Sequence, residues 1–261
     1  MTTLRALIWV EWRKALRSRL PLFTLLGFLF MPVGISFLML IYKNPEAARL
    51  SGLLAAKANL MGGIADWPTF LSMLKQGVAL GGYFLFTLVV SWVFGREFVD
   101  GTLKDLIAVP VSRAAVLMAK FVVAAVWTLG MVVAAFIVSV VLGALIDLPQ
   151  GSVETLADGG LTLAVTALLT LAAAVPAALF ASIGRGYLLP IGVAVLTLVV
   201  ANVLAVAGWG EYLPWAIPSL YAGASPLIAS LKPVSFVIVL LTGIAGIVGT
   251  VVWWQTADQN R

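Results

Sequence analysis

The sequence predicts an all-α integral membrane protein with six transmembrane helices, and three observations carry that prediction. Of 261 residues, 62% are apolar and only 10% are charged, whereas a water-soluble domain holds about 45–50% apolar and about 25% charged residues. The apolar residues fall in runs that fit a bilayer, since a helix crossing a hydrocarbon core about 30 Å thick needs roughly 20 of them at 1.5 Å each. Lys and Arg collect between the runs, mostly on alternate sides. The chain has no Cys and no His, which removes disulfides, thiol nucleophiles, His/Cys zinc sites and imidazole acid–base catalysis together. A net charge of +5 suits the flanks of membrane spans and does not call for nucleic acid as a partner.

Residues 1–19 read as a cytoplasmic amphipathic helix lying at the membrane interface. Leu4, Ile8, Trp12, Ala15 and Leu16 share one arc and Arg13, Lys14 and Arg17 another, with Leu7 and Val10 on the polar side. Residues 20–261 form a single transmembrane domain. Its expected spans are Leu20–Tyr42, Gly77–Phe94, Phe121–Ile146, Leu161–Ile183, Leu188–Ala207 and Val234–Trp254, none of which contains an Asp, Glu, Lys or Arg. The first run is too long for a signal-peptide core and lacks a small-residue cleavage site, so it stays as a span.

A cytoplasmic N-terminus places Arg5, Arg13, Lys14, Arg17, Arg19, Arg96, Lys104, Arg113, Lys120, Arg185 and Arg261 inside and leaves Lys43, Arg49, Lys57, Lys75 and Lys232 outside. The rule that cytoplasmic flanks are enriched in Lys and Arg selects this orientation, with both termini inside. Trp92, Trp253 and Trp254 at inner span ends and Trp209 and Trp215 at an outer one read as interfacial belts, whereas Trp127 reads as core.

Two connections resist the span ruler. Residues 43–76 are long, with Gly62, Gly63 and Pro68, and should hold a short surface helix. Residues 209–233 are apolar but carry Glu211, Pro214, Pro218, Pro226 and Lys232, so they should form re-entrant or interfacial helices rather than a seventh span. Pro32, Pro176 and Pro190 should bend or break their spans. Gly77/Gly81, Ala245/Gly249 and the nearby Gly243 and Gly246 read as helix-packing seams.

The spans hold hydroxyls and one amide (Ser36, Thr87, Ser139, Thr166, Thr170, Asn202) but no ionisable group at mid-membrane. That argues against a proton relay and, less strongly, against sodium coupling. It also argues against an intramembrane aspartyl or metalloprotease. No catalytic or metal-binding residue is expected, and if the protein moves something, a partner supplies the energy.

The informative segment is residues 95–115, the sizeable cytoplasmic loop between spans two and three. Arg96 and Glu97 should form a helical turn leaving the bilayer, and Gly101, which tolerates φ > 0, should break it. Thr102 and Asp105 resemble a capping box opening a second short helix. Pro110 ends it, Ser112 caps span three, and Arg113 and Lys120 sit at the inner surface. The result is a sharp corner exposing mixed charge. It is either an ordinary basic-flanked loop or a docking element for a cytoplasmic partner.

This stretch resembles the permease (membrane) subunits of type-2 ATP-binding-cassette exporters. In them a span ends in an aromatic–basic–Glu step, followed by Gly-Thr, an apolar helix and Pro-x-Ser-Arg. Here those elements are Phe94, Arg96, Glu97, Gly101, Thr102, Leu106, Pro110, Ser112, Arg113 and Lys120. The resemblance implies that the loop is the coupling helix region, seated on a separate ATPase. Glu97 would then be the main polar contact, and Arg96, Asp100, Gly101 and Thr102 would shape the corner. It also implies a second ATPase contact through Glu11, Arg13 and Lys14 of the N-terminal helix.

The chain has no G-x-x-x-x-G-K-[ST] phosphate loop and no Gly-Lys pair. It is therefore expected to bind no cofactor itself, with ATP and Mg on the partner subunit. The expected partners are cytoplasmic ATP-binding-cassette ATPase subunits, a second copy of the chain or a sister permease, and the lipid bilayer. The expected setting is the cytoplasmic membrane of a prokaryote. Two other readings share the bulk features: a membrane-embedded peptide- or lipid-binding interaction or immunity protein, and a sodium-coupled secondary carrier. Uncharged spans favour hydrophobic or amphipathic cargo such as a lipid, peptide antibiotic or drug, and no substrate-binding residue is singled out.

Overall fold

A computed structural model describes residues 2–44, 64–104, 110–223 and 231–256. Its helices are α1 (Thr2–Arg17), α2 (Leu20–Lys43), α3 (Trp67–Val99), α4 (Arg113–Leu145), α5 (Val153–Ala174), α6 (Ala177–Ile183), α7 (Leu188–Val206), α8 (Ile217–Tyr221) and α9 (Pro233–Thr256). Among the described residues six helical segments are long and apolar enough to cross a membrane: α2, α3, α4, α5 with α6, α7 and α9. The fold is the expected all-helical six-span plan.

Three of the helices begin where a side chain stands in for a missing backbone acceptor. Asp66 accepts from Thr69 N at 2.8 Å, Ser112 from Ala115 N at 3.3 Å and Ser152 from Thr155 N at 3.0 Å. These caps start α3, α4 and α5 some eight to ten residues before the expected spans. The span ruler stops at charge, while the helices continue beyond the hydrocarbon: 33 residues of α4 reach about 50 Å. As a correction, Lys75 belongs to α3, two turns past its start, and not to the preceding loop. Within α3 a π turn, Val78–Gly82, absorbs one extra residue where Gly77 and Gly81 pack on Met31.

Of the three prolines only Pro176 breaks its span, separating α5 from α6. Pro32 lies inside an unbroken α2. Pro190 is the third residue of α7, where an N–H has no intrahelical partner to lose. The glycines of α9 are packing seams: a Cβ on Gly243, Gly246 or Gly249 would press on Ala172, Pro176 or Leu179. Residues 207–223 form a 3-10 turn, Gly210–Tyr212, and the five-residue α8, whose Ile217 is buried between Leu169 and Val239. They do not span. The surface helix expected after Lys43 falls largely on residues 45–63, outside the described residues.

The bundle has two distinct ends. At one, here called distal, Lys43 Nζ donates to the carbonyls of Ile146 and Asp147 at 2.7 and 2.8 Å, and Trp67 N donates to Pro149 O. The Trp67 ring is seated over Gly143 and Gly151, at both of which a Cβ would collide with it. At the other, proximal end lie α1, the end of α3, the start of α4 and the end of α9, where Arg113 donates to Trp254 O at 2.7 Å. Trp254 is a correction to the interfacial reading: it is buried, and its Nε1 donates to Ser182 Oγ at 2.9 Å.

Most mid-span hydroxyls spend their protons within their own helices, Thr87 excepted. Ser36, Ser139, Thr166 and Thr170 each donate to the carbonyl four residues earlier, and Asn202 does the same through its amide. Trp127, expected as core, donates to Thr24 Oγ1 at 3.2 Å and ties α4 to α2.

Candidate functional site

The stripe Phe86, Val90, Val93, Phe94 on α3 is buried, and the next position on it is Glu97. On α4 the buried stripe Val116, Leu117, Phe121, Ala124 carries Lys120 among its members. Helical spacing of four and seven therefore turns both charges into the same interior. Lys120 is fully buried, and its ammonium donates to Glu97 Oε1 at 2.7 Å, to the Val93 carbonyl at 2.8 Å and to Glu11 Oε2 at 3.2 Å. Those are the three bonds an ammonium can make.

Lys14 closes the cluster by donating to Glu11 Oε1 and, at 3.4 Å, to Glu97 Oε1. Two carboxylates and two ammoniums thus form a neutral lock joining α1, α3 and α4. Burial alone would raise the Glu11 carboxyl, but the neighbouring Lys120 and Lys14 outweigh it and hold the group below its ordinary value.

Two expectations change here. Lys120, expected at the inner surface, is enclosed in the bundle, and Glu97, expected as the main contact with an ATPase, points into the protein with 2% of its surface exposed. The physical reason is that the apolar stripes of α3 and α4 face each other, so charges on them must pair or remain unsolvated. On α1 the buried positions are Glu11 and Ala15, while Leu4, Trp9, Val10 and Leu16 are exposed. The expected apolar arc therefore divides between protein and surroundings.

Beyond Glu97 the chain does turn sharply. Asp100 N caps back to Arg96 O at 2.7 Å, and Gly101 follows with φ of +70°, a conformation that costs a side-chain-bearing residue about 1 kcal/mol. Asp100, Gly101 and Thr102 are exposed. Leu103 and Lys104 resume helical geometry, and Asp105 and Leu106, partners in the expected capping box and apolar helix, lie outside the described residues. Arg96 lies over the Trp92 ring at 4.7 Å, and Arg13 over Trp9 at 4.7 Å.

Sequence reading missed the other support of this corner. Gly95 packs against the Gly186 carbonyl and the Tyr187 ring, each 3.1 Å from where a Cβ would stand, so a side chain there would press the loop after α6 outward. Arg185 in that loop holds φ of 50°. Burial, and then the Asp100 carboxylate, raise the Tyr187 hydroxyl above its ordinary value. The corner is thus braced on one side by the charged lock and on the other by residues 184–187. The signal available in the sequence was a lone lysine and a lone glutamate on otherwise apolar stripes.

Residues 7–202 match the sequence model of the ABC-2 family transporter proteins. A bacitracin transport permease protein, BCRB, of Bacillus licheniformis is 23% identical over 184 residues, covering 69% of this chain and 87% of that protein. The matched region runs from the N-terminal helix through the lock and the corner to α7.

Proposed function

The chain belongs to the ABC-2 family of transporter proteins, and from that premise we propose that it is the membrane-spanning permease of an ATP-driven exporter. It carries hydrophobic or amphipathic cargo across the cytoplasmic membrane of a prokaryote. Its relative is named for bacitracin transport, which suits cargo of that kind. The proximal end faces the cytoplasm, where Arg5, Arg13, Arg17, Arg19, Arg96 and Arg113 lie, against Lys43, Lys75 and Lys232 towards the distal end. Two ATPase subunits dock there and bind ATP and Mg. A second permease, of the same or a sister chain, completes the path.

The observation that carries this reading is the exposed corner Asp100–Gly101–Thr102, standing on a helix end that is locked to α1 and α4. A load applied at the corner reaches α3 and α4 as a unit, because their shared charges cannot separate without leaving a buried ion unpaired. The corner, with Arg96 behind it, meets the ATPase. Glu97 and Glu11 act from within, and the exposed Arg13 and part-exposed Lys14 give α1 its contact with the same partner.

The test is co-purification with the ATPase encoded beside this chain, followed by ATP hydrolysis in proteoliposomes. Asp100→Lys combined with Thr102→Arg should reduce permease-stimulated hydrolysis at least tenfold while the unfolding midpoint stays unchanged. Full stimulation by that variant would overturn the assignment of the corner.

A further inference from the structure

Between α3, α4, α5 and α9 the packing leaves a groove of about 280 Å³, lined by residues without a single polar side chain. Small residues create it: Ala124 and Ala125 on α4, Ala172 on α5 and Gly243 on α9. A Cβ on Gly243 would stand 3.2 Å from the Ala172 carbonyl, so the glycine lets α9 pack closely on α5 beside the groove. The rim is Leu168, Leu240 and Ile244, each more than half exposed on the outside of the bundle. All of these residues belong to membrane spans, so whatever enters the groove arrives from hydrocarbon. Water has no partner there, since a site needs two to four polar groups to hold one.

Towards the proximal end α4 and α9 meet again where Arg113 donates one guanidinium N–H to Trp254 O. Arg113 is eight residues from Phe121 in the groove wall, about 12 Å along the helix axis. Half of a hydrocarbon core about 30 Å thick is about 15 Å. A cation at headgroup level and an apolar slot about 12 Å deeper, within the ~15 Å that one acyl chain spans, therefore stand between the same two helices. Arg presents a fork of five donors, suited to phosphate, of which the Trp254 carbonyl takes one.

We propose that this groove binds one acyl chain of a membrane phospholipid, anionic by preference, whose phosphate sits against Arg113. The chain fills the gap between α9 and the α4–α5 pair and supplies the dispersion contacts that small residues leave unmade. The lipid is a resident of the permease fold and not its cargo. The proposal does not depend on how an ATPase docks.

The experiment is native mass spectrometry of the purified full-length protein, delipidated and titrated with 1-palmitoyl-2-oleoyl-phosphatidylglycerol or the matching phosphatidylcholine. The wild type should retain one phosphatidylglycerol more tightly than phosphatidylcholine. Ala125→Trp, which fills the groove from α4, should weaken retention at least tenfold. Ile244→Trp fills it from α9 and should do the same, so either variant decides the matter if the other fails to fold. Val133→Trp, on the outer surface of α4 beyond the groove, should change nothing. Arg113→Gln should weaken phosphatidylglycerol about fivefold, the effect of one interfacial charge, and abolish the headgroup preference. Absence of a retained lipid, or equal retention by wild type and both groove-filling variants, overturns the proposal. So does a shift from dimer to monomer in those variants without lipid loss, since a second copy would then fill the groove.

Discussion

Two lysine–glutamate contacts of nearly equal length sit at opposite ends of the bundle and behave as different interactions. Lys120–Glu97 at the proximal end spans 2.7 Å and Lys232–Glu211 at the distal end 2.8 Å, but side-chain exposure is 0% and 3% in the first and 60% and 17% in the second. In the exposed pair water screens both charges, and each partner can leave the other solvated. In the buried one neither charge has a solvent to return to, and a second lysine and glutamate share the site. Distance alone therefore says little about what an ion pair does, and burial decides whether it is a tether or a surface contact.

The sharpest way to break that comparison is Lys120→Met. It leaves Glu97 and Glu11 facing an apolar interior with only Lys14 at their edge, and should cost about 3–5 kcal/mol. The readout is the unfolding midpoint in detergent or, in the limit, loss of monodisperse protein. Glu97→Gln keeps the shape and an acceptor for Lys120, and should cost less, about 1.5–3 kcal/mol. Combining Lys120→Met with Glu97→Leu should recover most of the loss of the single lysine change, because an apolar pair replaces a buried ionic one at little net cost. A double variant as unstable as Lys120→Met would show that the lock holds helices by charge and not by satisfying it.

A smaller effect is expected from pH. The folded-state Glu11 carboxyl is held below its ordinary value of 4.5 by Lys120 and Lys14 against the opposing effect of burial. Its contribution is therefore complete above that value and is lost as pH falls through the depressed folded-state value. Thermal midpoints should begin to drop below pH 4.5, and in Glu11→Gln this part of the acid dependence should vanish. The smallest effect belongs to the distal pair. Lys232→Met or Glu211→Gln should leave the midpoint unchanged within error at 0.15 M salt, although the pairing does raise the Lys232 ammonium and lower the Glu211 carboxyl relative to their ordinary values.

Sequence legibility followed the same division between apolar surface and charge. The spans expected at Leu20–Tyr42, Leu188–Ala207 and Val234–Trp254 differ from α2, α7 and α9 by no more than two residues at either end. In these, apolar runs and helices stop together. At Lys75, Lys120 and Asp158 the apolar count stops while the helix continues, so α3, α4 and α5 begin earlier than expected. The corner was legible for a local reason: Gly101 at positive φ and Ser112 as a cap are decided within a few residues. The role of Glu97 was not, because a loop-flanking glutamate and a buried one look alike until α1 and α4 are placed against it.

Composition and periodicity alone determined that this chain is a six-span helical membrane protein with its cations mainly at one end, since transfer of apolar surface and charge between water and lipid depends on each segment by itself. Which charges meet was decided only by tertiary packing. Glu11, Lys14, Glu97 and Lys120 lie up to 109 residues apart in sequence, and the energy of a buried charge depends on the partner that packing brings to it, not on its neighbours along the chain.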